Sequence, residues 1–252
     1  MTTQNIPISP SPLLDIYGLA LANDATTPDE LFTISIGQCR NSSNKLDIVS
    51  LTELTVSNLL SGAGGLDTGA VAASTVYAVY VIADSSQYKA VSALMSLASS
   101  SAPTLPFEYD SYRKIGYMVT DATSDFLAFY QYGNGNMRDF AYDAPIATAV
   151  TAGAATSYTA VALTTFVPPE ENLPVSIAYS FTPGAASRTL SMTPGNGTGD
   201  AVTITGQVTA VVVSGNAQVM AKVTTAVPEI DYKVANAGDA VALNVAGFSF
   251  SV

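Results

Sequence analysis

Short segments in which apolar residues recur at every second position dominate this chain, and they restrict it to folds built from β-strands. Residues 31–37, LFTISIG, place Phe32, Ile34 and Ile36 on one face of an extended segment. Residues 74–84, STVYAVYVIAD, are apolar on both faces, which predicts a central strand covered on two sides. Gly, Asn and Pro separate many such segments. The sequence therefore predicts an all-β fold, an antiparallel β-sandwich or a jelly-roll-like arrangement.

Two pairs of neighbouring segments have the pattern of β-hairpins. Residues 112–121 and 125–133 are joined by a short turn-like loop. Residues 206–225 form the second predicted hairpin, with its turn at 214–216 (Ser-Gly-Asn). Residues 174–183 and 239–252 add two more predicted strands.

Helical spacing of apolar residues is scarce, so we expect at most one or two short helices. The two candidates are residues 52–65 and residues 89–100. For 89–100 a strand fits the sequence equally well, because periodicity cannot separate short apolar runs.

The first 13 residues contain three prolines and predict an extended arm rather than a helix. Such an arm is either a frayed terminus or a tether laid on a neighbour. The sandwich is predicted to occupy 14–252. At 167–174, VPPEENLP, either two domains meet or one sandwich turns a corner.

The surface predicted from the composition is poorly protected against association. Charged residues make up 12% of the chain, against roughly 25% in an ordinary soluble domain. We therefore expect a homo-oligomer, with a trimer as one candidate state, or a subunit of a larger assembly. A net charge of −11 with nine scattered cations argues against a nucleic-acid partner and an anionic membrane surface. The longest segment without charged residues, 144–169, is too polar for a membrane helix.

The residue types needed for much common catalytic chemistry are missing. The chain has no histidine and one cysteine, which excludes His-dependent nucleophilic catalysis and the usual zinc sites. No cofactor or metal is expected. Cys39 is interpreted as a small buried hydrophobe. Two carboxylate pairs, Asp121 with Asp125 and Asp139 with Asp143, are the remaining candidates for acid–base work, but common turn functions of Asp are the favoured interpretation.

Tyrosines and basic residues concentrate around residues 109–121, YDSYRKIGYMVTD. Strict alternation places Arg113 and Tyr117 on one face of this strand, and Tyr112 and Lys114 on the other. In the next strand it places Tyr130 and Tyr132 together, opposite Phe129. Both faces are mixed, which favours a scaffold or a subunit interface over a sugar site. The predicted contact surface comprises Tyr112, Arg113, Lys114, Tyr117, Tyr130, Tyr132, Asn134, Asn136 and Arg138.

Residues 64–133 resemble a module found in structural proteins of tailed bacteriophages. The similarity lies in G-L-D-T-G, an aromatic-rich strand, a small-residue segment ending in A-P-T-L-P, Y-R-[RK]-I-G and a T-D turn, in that order. Residues 19–48 and 227–248 resemble the start and the end of the module. The tryptophan usual in the aromatic strand is absent, and Val76 or Tyr77 takes its position.

The resemblance implies a non-enzymatic virion protein that folds in the bacterial cytoplasm and contacts other virion subunits. Because the chain is short and has no fibrous stem, a capsid decoration, cement or head-fibre protein is the first hypothesis. The alternative is a receptor-binding tail fibre that recognises a host surface glycan through its aromatic residues and loop 133–136. The third hypothesis is a polysaccharide depolymerase that uses a carboxylate pair.

Overall fold

Every regular element in the described part of the computed structural model is a β-strand. The structure describes residues 16–133, 135–197, 199 and 201–252, with only the backbone for 147–149. The predicted arm, 1–13, and Asn134 lie outside the described residues. The all-β antiparallel fold class is confirmed.

The strands are short at the beginning of the chain and long towards its end, where β11, β13, β16 and β18 form the middle of the largest sheet. Their bounds are Ile16–Gly18 (β1), Leu21–Asn23 (β2), Leu31–Ile34 (β3), Gly37–Arg40 (β4), Asp47–Ser50 (β5), Leu54–Ser57 (β6), Val76–Ala83 (β7), Ser92–Leu97 (β8), Ser111–Val119 (β9), Phe129–Tyr132 (β10), Met137–Gly153 (β11), Thr159–Ala162 (β12), Leu173–Thr182 (β13), Arg188–Pro194 (β14), Val202–Gly206 (β15), Val213–Thr224 (β16), Val227–Val234 (β17) and Ala240–Ser251 (β18).

The described strands form three sheets. The largest has the order β15-β14-β17-β16-β13-β18-β11-β10-β2-β3-β6, with β12 added beside β17. The two others are three-stranded, with the orders β1-β4-β5 and β8-β7-β9. Segment 167–174 connects β12 to β13, and both of these strands belong to the largest sheet.

The core lies between the β8-β7-β9 sheet and the largest sheet. Every residue of β7 is buried, which confirms the central strand predicted for 74–84. Tyr117 of β9 packs edge-on against Phe248 and Phe250 of β18, with ring centroids 5.9 and 5.0 Å apart. Phe140 of β11 continues the contact by stacking on Phe248 at 5.0 Å. Aromatic side chains therefore join the two sheets, as expected for rings that bury a large apolar area.

The hairpin predicted between 112–121 and 125–133 is wrong. β9 pairs with β7, whereas β10 pairs with β11 and β2 in a different sheet. One isolated bridge, Thr120 to Phe126, is the remnant of hairpin pairing. The amide of Phe126 donates to Asp29 at 2.8 Å, and that of Phe129 to the side chain of Asn23 at 3.0 Å. Contacts with a distant part of the chain therefore redirect the second segment.

The hairpin predicted at 206–225 is also wrong. β16 runs without a turn through Gly215, which pairs with Tyr179 of β13. A Cβ atom at Gly215 would lie 2.8 Å from the Tyr179 hydroxyl, so this glycine admits a neighbouring ring instead of forming a turn. The chain reverses after β16 at Thr225 and Ala226, which both have positive φ.

The two predicted helices are absent from the described structure. Residues 52–65 contain β6 and a loop, and residues 89–100 contain β8. The strand alternative for 89–100 is therefore correct, because β8 buries its residues by pairing with β7. In both segments, hydrogen bonding to a buried neighbouring strand outweighs the weak local preference for a helix.

Candidate functional site

A β-bulge in β9 determines which of the predicted contact residues share a face. Tyr80 of β7 pairs with Lys114, and the adjacent Val79 pairs with Gly116, so Ile115 is an extra residue in β9. An extra residue reverses the alternation of side chains beyond it. Tyr117 therefore lies on the face of Tyr112 and Lys114, and the predicted placement of Tyr117 beside Arg113 is wrong.

Lys114, Tyr117 and Glu170 form a compact polar cluster on this face. Lys114 Nζ donates to the Tyr117 hydroxyl at 2.8 Å and forms an ion pair with the Glu170 carboxylate. The Tyr117 hydroxyl donates to the same carboxylate oxygen. Burial, and then the negative charge of Glu170, raise the pKa of Tyr117. The phenol is therefore a hydrogen-bond donor at neutral pH and does not act as a base.

A cavity of about 450 Å³ opens beside this cluster. Tyr80 and Tyr112 contribute to its wall, with their rings packed edge to face and their centroids 5.8 Å apart. Burial raises the pKa of Tyr80 to about 12, with smaller contributions from neighbouring acidic groups that include Glu170. The wall of the cavity combines neutral phenols and hydroxyls with the paired Lys114 and Glu170 and with the buried Arg113.

Arg113 and Arg138 are buried and hold the protein together from within. Arg113 donates to the main-chain oxygen of Val252 at 2.6 Å. Arg138 is 3% exposed and donates to the main-chain oxygens of Leu19, at 2.6 Å, and Gly18, at 2.7 Å. Burial lowers the pKa of both guanidinium groups. Neither of these two members of the predicted contact surface is exposed on the outside of the protein, although Arg113 also lines the cavity beside the Lys114 cluster.

Tyr130 and Tyr132 are the exposed aromatic members of the predicted set. Their side chains are 52% and 55% exposed, and their rings stack with centroids 6.2 Å apart. The predicted shared face is confirmed, with Phe129 buried on the opposite side. Asn136 is half-buried, and its main-chain oxygen accepts from the amide of Val252 at 2.9 Å. The structure thus separates the predicted residues into the Lys114 cluster, two buried arginines and a tyrosine pair on β10.

Sequence reasoning missed an exposed apolar surface on the β1-β4-β5 sheet, which no other part of the described structure covers. Ile16, Cys39 and Ile48 pair across the three strands and are buried on its inner face. On the outer face, Tyr17 and Val49 flank Gln38 and are exposed.

Ile36 precedes β4 and Leu51 follows β5, next to the paired residues Gly37 and Ser50. Both are exposed, at 61% and 85%, and Tyr17 is 75% exposed. We call Tyr17, Ile36, Val49 and Leu51 the outer apolar face. The sequence signal was available: large apolar residues occupy the positions that alternate with buried ones in these segments.

The other residues that the sequence suggested for chemistry have structural roles. The carboxylate of Asp121 accepts hydrogen bonds from the amides of Thr123, at 2.7 Å, and Asp125, at 3.0 Å, and so stabilises its turn. Cys39 is buried, as predicted, and burial raises the pKa of its thiol to about 12. In the described residues, His, Cys, Asp and Glu form no cluster of three or more suited to a metal ion. No helix in that part of the chain is long and apolar enough to cross a membrane.

No protein-family profile and no curated protein matches the chain. Among solved structures, the chain is similar to an Arthrobacter globiformis T6 isomalto-dextranase complexed with panose (11% identity, 93% of this chain and 31% of that chain, TM-score 0.24). It is also similar to a structure of infectious bursal disease virus, Gx strain (12% identity, 96% of this chain and 72% of that chain, TM-score 0.26). A third similar structure is that of a Bacillus thuringiensis Cry1Da tryptic core variant (8% identity, 95% of this chain and 51% of that chain, TM-score 0.24). At these TM-scores, no property of those proteins is transferred to this chain.

Proposed function

We propose that this chain is a non-enzymatic structural protein of a tailed-bacteriophage virion, a capsid decoration, cement or head-fibre protein that self-associates and contacts other virion subunits. The observation that carries the proposal is the outer apolar face. Four large apolar side chains on and beside one small sheet are left in contact with water. Clusters of this kind mark protein interaction surfaces more often than scattered single residues do.

The composition supports a partner-covered surface. Charged residues account for 12% of the chain, so few charges are available to oppose association. Interface cores are depleted in charge and enriched in aromatic and apolar residues. Tyr17, Ile36, Val49 and Leu51 have this composition, and Gln38 in the middle of the row supplies a polar group that a partner can hydrogen-bond.

The resemblance of residues 64–133 to a phage structural module supports the virion assignment. This segment contains β7, β8 and β9, which form one sheet of the core, and β10, which belongs to the largest sheet. The motif Y-R-[RK]-I-G falls on β9 at the bulge. A role of this motif in shaping β9 is compatible with a module shared by structural proteins.

Self-association can be tested by native mass spectrometry of the purified chain. We expect an oligomer in the wild type and a shift towards monomer when Tyr17→Ser and Leu51→Ser are combined. Tyr88→Ser is the matched control, because Tyr88 is 90% exposed but lies between β7 and β8, outside the outer apolar face. A wild-type chain that is monomeric at micromolar concentration contradicts self-association.

The virion assignment needs a separate test in particles. Cryo-electron microscopy of purified virions should place density for this chain on the capsid, with the outer apolar face against a neighbouring subunit. Density restricted to the tail tip contradicts the decoration hypothesis and favours the receptor-binding alternative. Absence of the chain from purified particles overturns the virion assignment itself.

A further inference from the structure

A row of directly paired residues crosses one face of the largest sheet. Gln218 of β16 pairs with Ser176 of β13, which pairs with Gly247 of β18. Gly247 pairs with Ala141 of β11, which pairs with Tyr130 of β10. Paired residues project to the same side of a sheet. With strands spaced about 4.8 Å apart, the row spans about 19 Å.

The middle of this row is low because its residues are small. A depression of about 490 Å³ lies above Ser176, Gly247 and Ala141. A Cβ atom at Gly247 would lie 2.2 Å from the main-chain oxygen of Phe140, so no side chain fits at that position. The sheet therefore keeps a shallow groove with Gln218 at one end, and Tyr130 lies next to its other end, on the strand beyond Ala141.

The Tyr130 end of the groove is a pre-ordered aromatic platform. Tyr132 is directly opposite Asp139 and stacks on Tyr130. Hydrogen bonding with the nearby Asp143 carboxylate, and then its negative charge, raise the pKa of the Tyr130 phenol. Half-exposed tyrosines held by each other and by a carboxylate lose little conformational entropy when a ligand covers them.

The polar groups around the groove favour ligands that donate hydrogen bonds. Asp139 accepts from the Ser249 hydroxyl and retains a second carboxylate oxygen. Asn216 and Gln218 are exposed amides at the opposite end. No Lys or Arg is among the described residues that line the groove. Carboxylates without a nearby cation disfavour phosphate, sulfate and sialic acid groups, whereas they suit uncharged polyhydroxylated molecules.

We infer that this face binds a neutral oligosaccharide, with the tyrosine pair stacking on sugar rings and Asp139, Gln218 and Asn216 bonding to sugar hydroxyls along the groove. The site lies on strands and does not require loop 133–136. It is also independent of the outer apolar face, so one surface can fail its test while the other passes.

The test uses a printed array of neutral, sulfated and sialylated oligosaccharides, followed by isothermal titration with the best neutral binder. We expect signals from neutral sugars only. Combining Tyr130→Ala with Tyr132→Ala should weaken binding at least tenfold, because both stacking faces are lost. Tyr88→Ala and Tyr17→Ala should bind like the wild type. Equal melting temperatures for all these variants would show that they remain folded.

A second variant tests the groove without touching the tyrosines. Ser176→Leu places a larger apolar side chain on the groove floor and should weaken binding while leaving the aromatic platform intact. Wild-type protein that binds no neutral sugar on the array, or binds only anionic ones, overturns the inference. The inference is also overturned if the double tyrosine variant binds the neutral sugar as tightly as the wild type. A change in native mass on mutating the tyrosine pair would identify a second copy of the chain as the occupant instead.

Discussion

The Tyr117 hydroxyl lies 2.8 Å from Lys114 Nζ, on the same face of β9 although the two residues are three apart in sequence. Regular alternation would place them on opposite faces. The extra residue, Ile115, brings them together, and Glu170 from the segment between β12 and β13 completes the cluster. The bulge thus links the small core sheet to the segment that leads into the largest sheet.

We predict that Tyr117 stabilises the protein mainly through its ring. Tyr117→Phe removes the hydroxyl but keeps the contacts with Phe248 and Phe250, and it should cost about 1 kcal/mol. Tyr117→Ala removes the ring from between two sheets and should cost about 3–5 kcal/mol. Urea unfolding of both variants measures these free energies. A Phe variant as unstable as the Ala variant would show that the polar cluster, and not the aromatic packing, dominates.

Arg138 is predicted to stabilise the folded protein strongly and to have no direct role in binding. Its guanidinium bonds to the main-chain oxygens of Gly18 and Leu19 and to Gln131. Hydrogen bonds to charged groups contribute about 1.5–3 kcal/mol each, and lysine lacks the planar fork that makes several at once. Arg138→Lys should therefore lower the free energy of unfolding by about 3 kcal/mol or more.

The matched control is Lys89→Met, which breaks the half-exposed ion pair between Lys89 and Glu108. Solvent screens exposed ion pairs, which therefore contribute little to stability, so this variant should unfold almost like the wild type. If both substitutions had the same small effect in urea unfolding, the role assigned to Arg138 would be incorrect.

The local pattern of apolar residues predicted the strands that have one or two clearly buried faces. Residues 74–84, 174–183 and 239–252 form β7, β13 and β18, because apolar runs and alternation mark strands that are buried on two faces or one. The tyrosine pair was predicted for the same reason, since Tyr130 and Tyr132 are two apart in a regular strand. Alternation therefore identifies a strand even where pairing adds a residue, as Ala246 does in β18, but it assigns side chains to faces only where no residue is added.

Features that depend on distant partners were not predictable from these patterns. The segment 125–133 follows a turn after β9, yet it pairs with β2 and β11, so proximity in sequence gave the wrong partner. The bulge at Ile115 is defined only by its pairing with β7. The burial of Arg138 depends on acceptors near Gly18, about 120 residues away in the chain. Nothing in the residues around either position records these contacts.

Gly37 is predicted to be required where β1 and β4 meet. A Cβ atom there would lie 2.2 Å from the main-chain oxygen of Tyr17 and 2.6 Å from the amide nitrogen of Leu19. Gly37→Ala must push two backbones apart, and overpacking of this kind costs about 1–3 kcal/mol.

Gly238→Ala provides the comparison for Gly37, because the nearest atom to an added Cβ at position 238 is 3.5 Å away and its φ is not positive. The Gly238→Ala substitution should leave the melting temperature close to that of the wild type. The Gly37 variant should melt lower and should also expose Cys39, beneath the same sheet, to thiol reagents. A Gly37→Ala protein with wild-type melting and an unreactive thiol would contradict the close approach of β1 and β4.

The protein should lose stability in alkaline solution because buried acids resist ionisation. Burial raises the pKa of Cys39 from 9.0 to about 12, and that of Tyr80 from 10.0 to about 12. A raised pKa in the folded state means that folding favours the protonated form. The stabilisation is complete below the ordinary pKa values and is lost as the pH rises from about 9 towards 12.

Combining Cys39→Ala with Tyr80→Phe tests this directly, because it removes both titrating groups and keeps most of the apolar packing. Urea unfolding at intervals of pH should show a shallower alkaline decline for the double variant than for the wild type. Its decline should not vanish, since burial also raises the pKa of Tyr117 and Tyr142. Parallel declines for the two proteins would mean that Cys39 and Tyr80 ionise as readily in the folded chain as in the unfolded one, and that neither is buried as the structure describes.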